Sequence, residues 1–286
     1  MGELRDRMEA DLRLRNLRPS TRESYLGCVR KFAAYHMRSP AEMGQKEVRD
    51  FLVHLRDELE YQPSTLNGYV AALRFLYANT LGRPEAVPNW LRPRLPKKLP
   101  EVLSRSEIEA LLNAIDAIKY KAVLMTMYGA GLRIGEACRL RVEDIDSQRM
   151  LVRIRDGKGG HQRYAMLSQR LLLVLRAYWK RERPPKPYLF SGRYPHRPLA
   201  PDSVRKVLAQ AVKKCGITKP ATPHLLRHSF ATHLLDAGTD IRTIQVLLGH
   251  RSISSTQIYT QVSPQHIGRV KSPLDLLGTE EAKTPE

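Results

Sequence analysis

Apolar residues recur at helical spacing through the first eighty residues of the chain. Leu4, Met8, Leu12 and Leu14 predict one amphipathic face, Tyr25, Val29, Phe32 and Ala33 a second, and Phe51, Leu52 and Leu55 a third. Leu66, Val70, Leu73, Phe75, Leu76 and Tyr77 predict a fourth. Start signals fall between these faces: Pro19-Ser20, with Ser20 and Glu23 spaced as a capping box, then Gly44, then Pro63-Ser64. No stretch here alternates with period two, so residues 1–80 predict a small all-α domain. Residues 81–100, LGRPEAVPNWLRPRLPKKLP, then bring five prolines, each removing a backbone donor and restricting the residue before it. They predict a linker between two domains.

The second domain spans residues 101–277 and a tail covers 278–286. Ser104 and Glu107 form another capping box, ahead of Ile108, Leu111, Leu112 and Ile115 on one helix face. An apolar helix from Tyr120 to Tyr128 breaks at Gly129-Ala130-Gly131. After Asp144 the period changes. Met150, Val152 and Ile154 alternate with polar residues, Asp156 to Gly160 makes a turn, and Tyr164 and Met166 resume the alternation. That is a β-hairpin with Lys158 at its tip. Ser168 to Tyr178, Asp202 to Cys215 and the stretch from Pro223 are helical again, separated by the loops Pro184–Pro187 and Arg193–Pro201. The expected fold is mainly α, in two domains, with a small antiparallel β-sheet in the second.

Charge changes the picture. Against 29 acidic residues stand 48 Lys and Arg, a net +19 spread along the whole chain, which favours a long polyanion as partner. Arg22, Arg30, Lys31 and Arg74 on the outer helix faces, and Arg92, Arg94, Lys97 and Lys98 in the linker, are candidates to follow nucleic-acid phosphates. Each taken singly reads equally well as solvated surface. The three cysteines, Cys28, Cys138 and Cys215, have no CxxC spacing, so neither a disulfide framework nor a cysteine zinc site is expected. The charged N-terminus and the lack of a long apolar run predict no signal peptide, no membrane span and a cytoplasmic location.

The candidate chemistry gathers in a few places. His224 and Arg227 stand three apart on one helix, so both can face one small target. His250 follows at a Gly249-His250 helix stop, and Tyr259 then supplies a phenol that can act as a nucleophile. Arg133 and Glu136 lie among the glycines Gly131 and Gly135, and Lys158 sits at the hairpin tip. Oxyanion-holding donors, a second imidazole and a phenol suit phosphoryl transfer without a metal or other cofactor. Read singly, the same residues are helix-packing groups, an i,i+3 surface pair and a solvated turn lysine. His224 and His228 have the spacing of a zinc pair, but Leu225 stands where HExxH needs glutamate. Gly157-Lys158-Gly159 lacks the rest of a P-loop.

In order, GLRIGEACRL, RDGKGGHQR, HLLRHSFATHLL, LLGH and Tyr259 resemble the motif boxes of the tyrosine recombinases, the family of phage integrases and Xer-type enzymes. The likeness covers nearly the whole chain, with residues 1–80 similar to the family's helical core-binding domain, a SAM-like fold. It implies a two-domain clamp on duplex DNA that cleaves and rejoins a specific recombination site through a 3′-phosphotyrosine, without ATP or metal. Four copies are expected to act together on DNA. The resemblance assigns Tyr259 as nucleophile, Arg133 and Arg227 to the phosphoryl oxygens, and His224 to proton transfer. It gives His250 a hydrogen bond to the phosphoryl oxygen, Lys158 the protonation of the departing 5′ oxygen, and Glu136 the support of its neighbours. The ending GRVKSPLDLL is similar to that of integron integrases, while the short connection from Tyr188 to Pro223 leaves no room for their additional segment. Conventional duplex exchange is therefore expected. Two other classes share much of this: a DNA-binding regulator, which would have lost the nucleophile or an arginine, and a type IB topoisomerase, which would act as a monomer.

Overall fold

Proline at the first helical position sets where several helices begin, because its fixed φ suits the first turn and its missing N–H is not needed there. This holds at Pro19, Pro63, Pro201 and Pro223. The computed structural model describes residues 2–91, 93, 101–155, 162–194 and 196–249. The chain divides into two units, Met1–Lys97 and Lys98–Glu286.

In the first unit α1 (Gly2–Leu14), α2 (Pro19–His36), α3 (Gln45–Asp57) and α4 (Pro63–Phe75) enclose Met8, Leu12, Phe32, Phe51, Leu55 and Leu73, all almost fully buried. One π-helical turn, Leu76–Thr80, continues α4 and buries Leu76 and Tyr77, whose hydroxyl donates to the Pro40 carbonyl at 3.0 Å. Three expectations are corrected here. Leu14 is 86% exposed, because it falls in the last turn of α1, off the Met8–Leu12 stripe. The Ser20–Glu23 capping box does not form. Pro19 starts α2 two residues earlier than that box requires, with Arg18 as the N-cap, which leaves Glu23 beyond reach of the cap. Nor does Arg74 line an outer face: its guanidinium donates to the carbonyls of Val87 (3.4 Å) and Pro88 (3.2 Å). Ala86 and Val87 are themselves buried in this unit's core, so the first half of the proline-rich stretch is packed rather than free.

In the second unit α5 (Arg105–Asn113) opens on the expected box, with Ser104 accepting from the Glu107 amide and Glu107 from the Ser104 amide. α6 (Ile118–Gly129) buries Ala122 to Met127 without a polar face, since it packs against α5, α8 (Gln169–Glu182), α9 (Pro201–Lys214) and α10 (Pro223–Asp236). The short α7 (Ile134–Cys138) follows it, and α11 (Ile241–Leu248) follows α10. The mainly helical class with a small antiparallel sheet is as expected. The sheet itself has three strands, β1 (Ile145–Asp146), β2 (Leu151–Ile154) and β3 (Arg163–Met166), in the order β1-β2-β3. The sequence pattern missed β1, whose two residues are too few to show a period. It also gave β3 the opposite phase. Tyr164 and Met166 are exposed, while Ala165 is buried opposite Val152 and Arg163 pairs with Ile154. A one-residue shift in register moves every side chain to the other face, and only the pairing across the turn sets it.

Candidate active site

The site begins where α6 ends. Gly131 takes a left-handed φ of +63°, and a Cβ there would lie 2.5 Å from a ring carbon of Phe230. Replacing Gly131 with alanine is expected to destabilise the unit by about 2–5 kcal/mol, from left-handed strain and the displaced ring together. Thermal unfolding checks this. Gly216→Ala, at φ +65° with no neighbour near the added carbon, serves as the control that carries strain alone. An equal loss in the two variants would remove Phe230 from the account.

The turn at Gly131 delivers Arg133 to the N-cap of α7. Glu136, three residues on, reaches back to accept from the Arg133 amide at 2.9 Å and from its guanidinium at 2.8 Å. The pair, which taken singly reads as a surface pair and by resemblance as a site arginine with its supporting carboxylate, is mostly buried, with Glu136 only 6% exposed. A lone carboxylate at that depth would be costly, so the other partners matter. Arg163 of β3 grips both oxygens of Glu136, at 3.0 and 2.8 Å. Arg227 of α10 stands 3.9 Å from the same carboxylate. Burial pushes the Glu136 carboxyl up, but Arg163 and Arg133 overcome it and hold the pKa at about 2. One carboxylate thus faces three guanidinium groups, leaving a net positive site at neutral pH.

Arg227 is 4% exposed, and its fork is fixed from both sides, with Nη1 donating to the Gly131 carbonyl at 2.7 Å and Nη2 to the Leu248 carbonyl at 2.6 Å. His224 lies one turn earlier on the exposed first turn of α10, where Thr222 caps the helix and accepts from the Leu225 amide. Partial desolvation, then the positive charges of Arg227, Arg133 and Arg205, push its pKa below the usual imidazole value. The ring is therefore neutral at pH 7 and able to take a proton. His233 instead braces the fold, its Nδ1 sharing a 2.9 Å hydrogen bond with the Tyr128 hydroxyl. His228, half-buried, is also held below the usual value, by burial and by His224 and Arg227.

Arg133, Glu136, His224 and Arg227 are thus brought together from α7 and α10. Lys158, His250 and Tyr259, with Arg92, Arg94, Lys97 and Lys98, lie outside the described residues. Arg163 and Arg205 were not singled out by sequence. Arg163 did leave a signal, as a charged residue in phase with Ala165 and Leu167 on the inward face of a strand. Arg205 left none, since it is one of four basic residues on α9, with Lys206, Lys213 and Lys214.

Comparison with known proteins adds to this geometry. Residues 101–266 match the model of the Phage integrase family, and residues 4–86 match that of the Phage integrase, N-terminal SAM-like domain. The chain is 39% identical over 231 residues to the tyrosine recombinase XerA of Pyrococcus furiosus, covering 79% of each chain. With the XerA of Thermococcus onnurineus it shares 35% identity over 281 residues, 97% of both. Among solved structures, XerH recombinase in a post-cleavage complex with palindromic difH substrate has the same fold, with a TM-score of 0.70 at 23% identity. That match covers 88% of this chain and 79% of the other.

Proposed function

Since the chain belongs to the phage integrase family, we propose how its own residues carry out site-specific recombination of duplex DNA. It is a tyrosine-type DNA recombinase. The Tyr259 oxygen attacks a backbone phosphorus, an Oη–P bond forms, and the bond from phosphorus to the 5′ oxygen breaks. The phenol's proton passes to His224, neutral at pH 7, and Lys158 delivers a proton to the leaving 5′ oxygen. Charge that builds on the non-bridging oxygens is met by the forks of Arg133 and Arg227, with His250 adding a hydrogen bond. Glu136 orients Arg133. The phosphotyrosine keeps the energy of the phosphodiester, so a 5′-hydroxyl from a second strand reverses the step without ATP. The observation that supports this reading is the meeting of Arg133 and Arg227 at the buried Glu136, with His224 near enough to feel both guanidinium charges.

The division of labour follows the sequence: residues 1–80 as the DNA-holding core-binding domain, 81–100 as the connection, and 101–277 as the catalytic domain. Arg92, Arg94, Lys97 and Lys98 follow phosphates of the bound duplex. Exchange of strands between two duplexes needs four active sites, so the working form is a homotetramer on a specific site in cytoplasmic DNA. No described helix is long and apolar enough to cross a membrane. Incubating the protein with a randomised library of nicked duplexes, denaturing, and sequencing the attached DNA tests the reading. A denaturant-resistant adduct enriched in one sequence is expected, and recovery of no adduct would sink it.

Binding to duplex DNA should also weaken steeply with salt, because each neutralised phosphate releases counterions. The log K against log salt slope is expected to be steeper than about −4, for on the order of five phosphates. A nearly flat slope in a fluorescence titration would contradict the polyanion assignment.

A further inference from the structure

We propose that Arg163 is a positioning residue, which locks the C-terminal end of α11 and the Glu136 carboxylate into one arrangement. The chain leading to His250 and Tyr259 then departs from a fixed point. The proposal rests on the recombinase reading above.

A guanidinium on the inward face of β3 is tolerated only if its donors are matched. Those of Arg163 are matched to two separate structures. Nη1 and Nη2 take both oxygens of Glu136, and Nε donates to the Leu247 carbonyl at 3.2 Å. The last carbonyls of a helix have no partner within it and carry the negative end of its dipole. On α11 these are held from two sides, Leu247 by Arg163 and Leu248 by Arg227. The chain then turns at Gly249, in a left-handed conformation with φ +63°. A Cβ on Gly249 would lie 2.7 Å from Cδ of Arg163, so the arginine stem lies directly against the turn.

Through Glu136, Arg163 also bears on Arg133, whose amide and guanidinium share that carboxylate. A change at Arg163 therefore reaches the phosphate-holding arginine on one side and the start of the nucleophile segment on the other, without touching substrate. Lysine keeps the charge but cannot bridge a carboxylate and a carbonyl with one planar fork.

The alternative is that Arg163 only neutralises Glu136 and stabilises the fold. The two roles separate in single-turnover kinetics, because a purely stabilising residue sets the fraction of active protein and not its rate constant. The parent chain, Arg163→Lys, Arg163→Met, Gly249→Ala and the core variant Leu111→Ala would each be mixed at saturating concentration with a nicked duplex selected by covalent trapping on the parent. Adduct rate constant, adduct amplitude, DNA affinity and thermal unfolding would be followed. The rate constant for Arg163→Lys should fall by about tenfold or more with affinity close to the parent's. Gly249→Ala, which pushes on the Arg163 stem from the other side, should share the defect, while Leu111→Ala loses amplitude alone. If the Arg163 variants keep the parent's rate constant and lose only amplitude, the positioning role is wrong although the recombinase reading stands. Absence of any adduct with the parent overturns both.

Discussion

Tyr259→Phe leaves the protein unable to form a covalent adduct with its site while its affinity for duplex DNA stays almost unchanged. The substitution deletes one oxygen, the atom that would attack phosphorus, and keeps the ring. Every cation that meets the phosphates remains, so binding has no reason to fall. Denaturing electrophoresis of protein mixed with the selected nicked duplex reads the first quantity, and a binding titration reads the second. The chain holds 12 tyrosines, which makes the test discriminating. An adduct that survives in Tyr259→Phe would place the nucleophile on another of them, and the site assignment would fail.

Arg227→Lys should slow cleavage by well over tenfold, or roughly 1.4 kcal/mol or more of transition-state stabilisation, without removing a charge. The structure gives a reason beyond phosphate geometry. The Arg227 fork spans the carbonyls of Gly131 and Leu248, one at the turn that delivers Arg133 and the other at the end of α11. A lysine ammonium can satisfy one of these and leaves the other buried without its donor. The loss should appear in the single-turnover rate constant and, more weakly, in thermal stability. Cleavage within twofold of the parent would mean that neither the fork nor its two anchors matter to the chemistry.

The site was legible in unequal parts. Arg133, His224 and Arg227 could be proposed because each sits in a short motif whose spacing is itself the signal. Glu136 could be named from its motif, but its depth could not, since an i,i+3 Arg–Glu pair on a helix is ordinarily solvent-exposed. Arg74 was read as one more outward cation because helical periodicity at that position resembles that of any surface arginine. Its true partners are carbonyls at Val87 and Pro88, within a stretch whose prolines advertise only a linker. The Ser20–Glu23 box failed for a competing local reason, Pro19, which takes the first helical position.

By itself, the sequence determined what depends on a few neighbouring residues and on totals. These are the helical periods, the Ser104–Glu107 cap, the hairpin, the positive balance and the order of the motif boxes. The tertiary structure alone decided which charges would be buried together. Arg163 reaches Glu136 from 27 residues away, and Arg227 reaches the Gly131 carbonyl from 96. The physical reason is that burying an ion is unfavourable until its counter-ions and hydrogen-bond partners arrive. Those partners come from strands and helices whose meeting no local pattern encodes.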